Sequence, residues 1–432
     1  MPRRQWRRTV KHLRSKQAWR IRSLLWGGAV LVGLVATGLA WGSDFASLVF
    51  AWAIEDRPWL PFLLTPLGLV LIAWLTRRFF PAAEGSGIPQ AIAMLQVRDH
   101  KIRQRVLGVG VGLFKGAMII LGLACGASIG REGPTVHIAA AISYSLARVG
   151  RFPHYVQSRG LILAGAAAGL SAAFNTPLAG IVFAIEELSR KFEGHVNGVV
   201  FIAVIVAGMT ALSLQGNYSY FNVEATKLDT LHGLAAVLIC GFVGGLLGGL
   251  FSSLLIHGGA YFNPLRMAHP YLFAAACGLL LALIGMMSGG TTYGTGYDEA
   301  NPALMFGEGT GLFYPFLKFA ATVVSYLSGI PGGIFSPSLA IGANLGAELA
   351  PLLPAAPGTA IALLGMVAYF SGVVQAPLTA VVIVMEMTNE PSMLLPLLAT
   401  SLLAQWVSRH VCPRSLYRAL AINFLHQPEP HR

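Results

Sequence analysis

Charge is what this sequence lacks most. Lys, Arg, Asp and Glu together make up 11% of its 432 residues, whereas a soluble domain carries about 25%; one buried helix cannot account for so wide a deficit. Acids are scarcer than bases, 18 against 30, and none precedes Asp44. Cysteine is also scarce. Cys125, Cys240, Cys277 and Cys412 lie scattered through or beside apolar runs, without the spacing of a disulfide framework or a zinc site. They read as small packing residues, and no metal or cofactor is expected. A cleavable signal peptide is missing too, because the apolar stretch from Leu24 onward is too long and no small-residue cleavage site closes it.

What is present is apolar: 55% hydrophobic residues and a mean hydropathy of +0.64, the composition of a polytopic membrane protein. The net charge of +12 would suggest nucleic acid in a soluble chain. Here it is local, in Arg3, Arg4, Arg7, Arg8, Lys11, Arg14, Lys16, Arg20 and Arg22 before the first apolar span. That is a positive-inside signal with some attraction for anionic lipid, so no nucleic-acid partner is expected and the N-terminus should be cytoplasmic.

Apolar segments follow at Leu24 to Ala53, Leu60 to Leu75, 106–129, 134–148, 158–174, 177–190, 197–214, 232–256, 271–288, 311–328, 337–349, 358–371, 376–388 and 393–410. Many fall short of the about 20 residues that a spanning helix needs, as does the short helix Gln90 to Val97. Glycine and proline break them repeatedly. Irregular backbone at membrane depth survives only where protein buries it or a watery cavity borders it. The expected organisation is a basic segment (1–23), a first transmembrane half (24–215), a polar linker (216–231), a second half (232–425) and a short tail (426–432). Asn217-Tyr-Ser219 in the linker is a chance glycosylation sequon.

One stretch organises the rest, Gly126-Ala-Ser-Ile-Gly-Arg-Glu-Gly-Pro-Thr135, which interrupts two apolar runs with Arg131 and Glu132. A charged residue at the centre of a membrane helix costs roughly 2.5 to 3.5 kcal/mol on insertion scales and by default marks function. Pro134 suits a first helical turn, where its missing N–H had no partner, and Gly130 and Gly133 let backbone approach closely. The free N–H groups of such a start attract anions. The reading is an anion site at a helix N-terminus within the membrane, with Glu132 as a resident anion able to compete for it, near the N–H groups of Arg131 to Gly133.

The pattern is duplicated. Asn175-Thr-Pro-Leu-Ala-Gly-Ile-Val-Phe-Ala-Ile-Glu186 lies over Gln375-Ala-Pro-Leu-Thr-Ala-Val-Val-Ile-Val-Met-Glu386 at an offset of 200, and Lys115 to Pro134 lies over Lys318 to Pro337 at an offset of 203. Glu132 then matches Phe335, so the second half offers a Gly/Pro helix start, Gly332-Gly-Ile-Phe-Ser-Pro337, with no charge of its own. Duplicated halves with matching broken helices point to a transport site between the repeats.

Three strings in order, Gly85-Ser-Gly-Ile-Pro89, Gly130-Arg-Glu-Gly-Pro134 and Gly333-Ile-Phe-Ser-Pro337, together with the duplicated segments and a closing Leu416-Tyr417, resemble the CLC family of chloride channels and proton-coupled chloride antiporters. The resemblance runs from about Glu84 to Tyr417. It implies an all-α fold of two inverted halves with many short, tilted or broken helices, a homodimer in the bilayer with one pathway per subunit, both termini cytoplasmic, and a bacterial inner membrane. It further implies a chloride held by the hydroxyls of Ser86 and Tyr417 and the backbone N–H groups of Ile334 and Phe335, lined by Gly85, Gly87, Ile88, Pro89, Gly130, Arg131, Gly133, Pro134, Gly333, Ser336 and Pro337. Glu132 becomes the external gating glutamate and Glu187, the second acid of Ala184-Ile-Glu-Glu-Leu188, the internal proton acceptor. Glu187 favours exchange of chloride for protons over a passive channel, and serine at position 86 favours chloride over nitrate. Only 15 residues follow Tyr417, so the likeness is to members without paired nucleotide-sensing modules.

Plainer readings stand beside these. Glu132 could pair with Arg131 at a structural cap, Glu187 with Arg190 or Lys191, and Ser86 could cap the Gln90 helix. Glu186 and Glu386 read as structural acids. Lys115 and Lys318 either add field to an anion path or satisfy carbonyls. Broken helices also suit an ion-coupled organic-solute carrier. Gly126-Ala-Ser-Ile-Gly130 matches the G-x-S-x-G elbow of serine hydrolases, but that motif needs a preceding strand in a soluble sheet, and no enzyme is expected. The G-x-x-x-G spacings in 240–249 permit close helix packing, expected inside the chain rather than between subunits.

Overall fold

The computed structural model describes residues 16–149, 159–189, 194–216, 220–221, 223, 228 and 230–425. The basic residues before Lys16, the pairing candidates Arg190 and Lys191, the sequon, the C-terminal tail and most of the linker lie outside them.

The described chain is helical apart from two isolated β-bridges. In the first half the helices are α1 (Lys16–Glu55), α2 (Pro61–Phe79), α3 (Ile88–Gln96), α4 (His100–Val106), α5 (Val109–Ala124), α6 (Glu132–Val149), α7 (Arg159–Phe174), α8 (Pro177–Phe183), continued as a π-helical turn over Ala184–Ser189, and α9 (Gly194–Gln215). The second half holds α10 (Thr230–Ser253), which runs through a π-helical turn (Leu254–Gly258) into α11 (Gly259–Ala268), then α12 (Pro270–Met287), α13 (Tyr297–Phe306), α14 (Tyr314–Leu327), α15 (Phe335–Leu349), α16 (Gly358–Val374), α17 (Pro377–Thr388), α18 (Leu394–Val411) and α19 (Leu416–Leu425). Among the described residues, seven helices are long and apolar enough to cross a membrane. Large apolar side chains such as Trp41, Leu48, Trp52, Leu272 and Trp406 are exposed on their outer faces, as lipid contact requires.

Besides α11, which prolongs α10, three helices were not expected from hydropathy. The basic loop after α3 folds as α4 because the Asp99 carboxylate accepts from Lys101 N–H at 2.7 Å, capping one of the orphan donors of a helix start. The ten-residue helices α13 and α19 lack long apolar runs and are held by neighbours instead.

The repeat is visible in the backbone. Asn175 ends α7 and Gln375 ends α16, both with φ 58°, a left-handed conformation that L-residues other than glycine adopt mainly where they stop a helix. A proline then opens the next helix in each half. The two acids that the repeat pairs cap each other's helices. Glu386 accepts from Leu178 N–H at 3.0 Å and Ala179 N–H at 2.7 Å at the start of α8. Glu186 accepts from Leu378 N–H at 3.2 Å and from Thr379 N–H and Oγ1 at 2.6 and 2.7 Å at the start of α17. Such reciprocity makes an approximate twofold between the halves and settles Glu186 and Glu386 as structural acids. Glu386→Ala orphans two donors, so the expected loss is about 1–3 kcal/mol, read as a lower thermal midpoint in detergent with Glu386→Gln partly restoring it. An unchanged midpoint would show that water replaces the carboxylate there.

Close helix packing is internal. In α10, Gly244 and Gly248 meet the backbone of α16, and Gly245 and Gly249 that of α18, as the G-x-x-x-G spacing led one to expect. All four cysteines are buried and free.

Candidate functional site

The site grows from the three Gly/Pro strings, which backbone hydrogen bonds join. Gly130 N–H donates to Gly333 O at 2.7 Å and Gly333 N–H to Gly130 O at 2.8 Å; Gly85 N–H donates to Ile330 O and Gly332 N–H to Gly85 O, each at 3.3 Å. Repeat-related residues therefore meet at the twofold. Only glycine fits there: a Cβ on Gly333 would lie 2.8 Å from Gly130 O and 3.1 Å from Pro134 Cδ, and one on Gly130 would lie 3.2 Å from Pro337 Cδ. In the first string Gly87 takes φ 104° and packs against His137 and the Gly133 carbonyl, which turns Ser86 toward α6.

Two helix starts thus converge, α6 and α15. Their first-turn N–H groups have no partner inside the helix, and both starts are buried. Glu132 is the first residue of α6. Because helical side chains tilt toward the N-terminus, its carboxylate reaches past its own helix onto the facing one. Ser336 Oγ donates to its Oε1 at 2.5 Å, and Ser336 N–H points at its Oε2 at 3.4 Å. The carboxylate is fully buried. The donors that receive it belong to α15 of the other half rather than to the Arg131 to Gly133 segment of its own. Arg131 is engaged elsewhere, donating to Ala40 O at 2.8 Å and forming an ion pair with Asp44, which removes the Arg131–Glu132 cap.

Ser86 and Tyr417 come together on the other side of the helix starts. Their hydroxyls lie close to each other, and neither makes a hydrogen bond of normal geometry, although both are buried. A buried hydroxyl without a partner costs about 1–3 kcal/mol, so two of them facing one spot fit a bound acceptor. Tyr417 stacks on Phe335, ring centroids 5.8 Å apart and planes at 13°, and Phe335 is itself held by Phe174, Phe183 and Phe370. The ring packing fixes where the N–H groups of Ile334 and Phe335 sit. Gly133 borders the same spot, for a Cβ there would run into Ser86. Nothing in this donor set calls for a metal, and no cluster of metal-ligating side chains occurs among the described residues.

Glu187 lies in the π-helical turn after α8, 1% exposed, near enough to Tyr417 to interact electrostatically. Arg418 in α19 donates to its backbone carbonyl at 3.1 Å. The alternative partners of Glu187, Arg190 and Lys191, lie outside the described residues. The two repeat lysines hold carbonyls: Lys115 Nζ donates to Gly85 O at 3.0 Å, and Lys318 Nζ to the carbonyls of Thr292, Tyr293 and Gly294 at 2.9, 3.2 and 2.9 Å. Lys115 thereby steadies the turn that carries Ser86.

Two cavities approach the site from different ends. One, of about 640 Å³, is lined by Asp44, Arg131, Tyr220, Asp298 and Glu299 among others. The second, of about 840 Å³, is lined by Ser86, Pro89, Arg266, Tyr326 and Arg414 among others, and an ion pair between Glu84 and Arg266 stands in its wall. Glu132 and Tyr417 lie between them. Ser128 of the hydrolase-like string follows α5 rather than a strand and spends its hydroxyl on Thr322 at 3.1 Å, which removes the context that motif needs.

The structure brings together residues of all three strings with Tyr417, but sequence reasoning missed one partnership and one residue. Ser336 was read as motif lining, not as a donor to Glu132. Tyr220, in the polar segment between α9 and α10, carried no motif at all.

Comparison with known proteins supplies the wider context. A family model described as voltage gated chloride channel matches residues 68–409. The H(+)/Cl(-) exchange transporter ClcA of Cronobacter sakazakii is 34% identical over 94% of this chain and 90% of its own; that of Yersinia pestis bv. Antiqua is 32% identical over 93% and 87%. A solved slow cyanobacterial Cl-/H+ antiporter superposes with a TM-score of 0.79 at 26% identity, covering 94% of this chain and 98% of that one. A CLC-type fluoride/proton antiporter superposes with a TM-score of 0.80 at 24% identity over the same shares, a likeness of fold alone.

Proposed function

Because this chain belongs to the voltage gated chloride channel family, we propose that it exchanges chloride for protons across a membrane, with the Glu132 carboxylate and chloride competing for the donors at the start of α15. The observation that carries this reading is the buried carboxylate on Ser336, seated between two cavities. Chloride enters a cage of neutral donors and positive helix ends, which replaces its water without holding it too tightly to leave. Ser86, Tyr417 and the N–H groups of Ile334 and Phe335 form the central position. Two unit charges 4 Å apart repel by about 4 kcal/mol at an effective dielectric constant of 20, roughly three powers of ten in occupancy. Brought closer still, onto the same donors at the start of α15, a carboxylate and a chloride exclude each other, and protonation of Glu132 is what lets the halide pass. Glu187 takes the proton onward.

The second cavity opens on the side of Arg77, Arg78 and the Arg98 to Arg105 segment, so the positive-inside rule makes it cytoplasmic. Both termini are then cytoplasmic and the membrane is the inner one of a bacterium. The protein works as a homodimer with one pathway per subunit, each subunit dividing near 216–231 into its two halves.

Purified protein in liposomes tests the exchange. A chloride gradient is expected to drive protons against their own gradient. Dissipation of the chloride gradient without proton movement would identify a passive channel, and no chloride movement would leave the solute-carrier reading.

A further inference from the structure

The hydroxyl that meets Glu132 belongs to Ser336, to which the sequence reading assigns no part beyond lining. Ser336 Oγ donates to Glu132 Oε1 at 2.5 Å while the Ser336 N–H points at Oε2 at 3.4 Å, so one residue grips both carboxylate oxygens. Its hydroxyl also lies near enough to the Tyr220 phenol to interact with it, and Tyr220 lines the first cavity beside Arg131. Tyr220 is itself fixed: its ring packs against Phe174, Phe221 and Tyr297, Tyr297 Oη donates to its carbonyl at 3.0 Å, and Phe221 N–H bonds Met387 O at 3.0 Å. Burial pushes the Tyr220 phenol above its ordinary pKa, with Arg131 opposing, so it remains a neutral donor.

The chemistry of this row is directional. A serine has one O–H to give and lone pairs to accept with. Spending the O–H on the carboxylate leaves a lone pair toward Tyr220. A bonded donor polarises the next, and a hydrogen bond to an ionised group is stronger than one between neutral groups. Protonated Glu132 would accept far more weakly.

We propose that Ser336 is a positioning residue that clamps ionised Glu132 in the anion position, with Tyr220 bracing it from the first cavity, so that this pair sets how hard the carboxylate competes with chloride. The proposal rests on the competitive role given to Glu132. It concerns the carboxylate, not the halide, so its signature is an effect on chloride that exists only when Glu132 is present.

Calorimetric titration of the detergent-solubilised full chain with chloride tests it, using the wild type, Ser336→Ala, Glu132→Gln, the double variant and Tyr220→Phe. Losing a donor to a charged group should tighten apparent chloride affinity on the order of tenfold in Ser336→Ala. The same change in the Glu132→Gln background should do nothing, and chloride binding by that double variant certifies a folded site. Tyr220→Phe should shift affinity the same way by less, and Ser336→Thr should restore the wild-type value. Weaker chloride binding on losing Ser336 Oγ in both backgrounds would overturn the clamp and make that hydroxyl a chloride ligand. An inert Ser336→Ala alongside a Glu132→Gln that binds chloride more tightly would overturn the clamp alone. A Glu132→Gln that binds no more tightly than wild type would overturn the competition itself, and the clamp with it.

Discussion

Glu132→Gln is expected to keep chloride flux and to lose proton movement to the level of protein-free liposomes. The amide has the size and reach of the carboxyl group but carries neither a charge to seat among the α15 donors nor a proton to transfer. In the wild-type arrangement the carboxylate is fully buried and takes both its donors from Ser336. Its departure needs protonation, because an ionised group leaving those donors for an apolar surface pays a desolvation cost that the neutral acid avoids. With glutamine the seat is open to halide throughout the cycle, and nothing links its passage to a proton. Simultaneous recording of chloride efflux and internal pH checks this, and retained coupling would contradict the role given to Glu132.

Glu187→Gln is expected to have an effect of similar size on protons by a different route. Glu187 lies in a π-helical turn, 1% exposed, near Tyr417. π-helical turns recur at functional sites, and this one carries a buried acid. The isosteric amide keeps the packing and leaves the bond from Arg418 to the backbone carbonyl in place. Chloride flux should persist, and chloride affinity should stay as in the wild type because Glu132 still competes normally. Proton movement should vanish. A variant that loses chloride flux as well would reassign Glu187 to the scaffold, and the affinity measurement separates the two variants, since only Glu132→Gln frees the anion position.

Most of the candidate site was legible in the sequence because its features are exceptions to an apolar rule. Glycine and proline at the three strings mark where helices start, and Glu132 is conspicuous against the run from Gly108 to Leu146. The repeat was legible for the same reason, and the paired acids Glu186 and Glu386 turned out to cap across it. What could not be read were partnerships across the twofold. Nothing local says that a side chain on α6 finds its donors on α15, 204 residues away, since that depends on how the two halves meet. Tyr220 was invisible because its part comes from packing on Phe174, Phe221 and Tyr297, which no spacing encodes. The helices α4, α13 and α19 were missed because they are short and held by a cap or by neighbours rather than by a long apolar run.

Carboxylate and halide take turns at one place in this account of exchange, and diffraction from crystals grown in bromide can see them do so. The wild type should show anomalous density beside Ser86 and Tyr417 and none where the Glu132 carboxylate meets Ser336. In Glu132→Gln a further peak should appear at that vacated position, in contact with the Ser336 N–H. Absence of the further peak, or bromide sharing the Ser336 position with an intact carboxylate, would show that the two do not compete there.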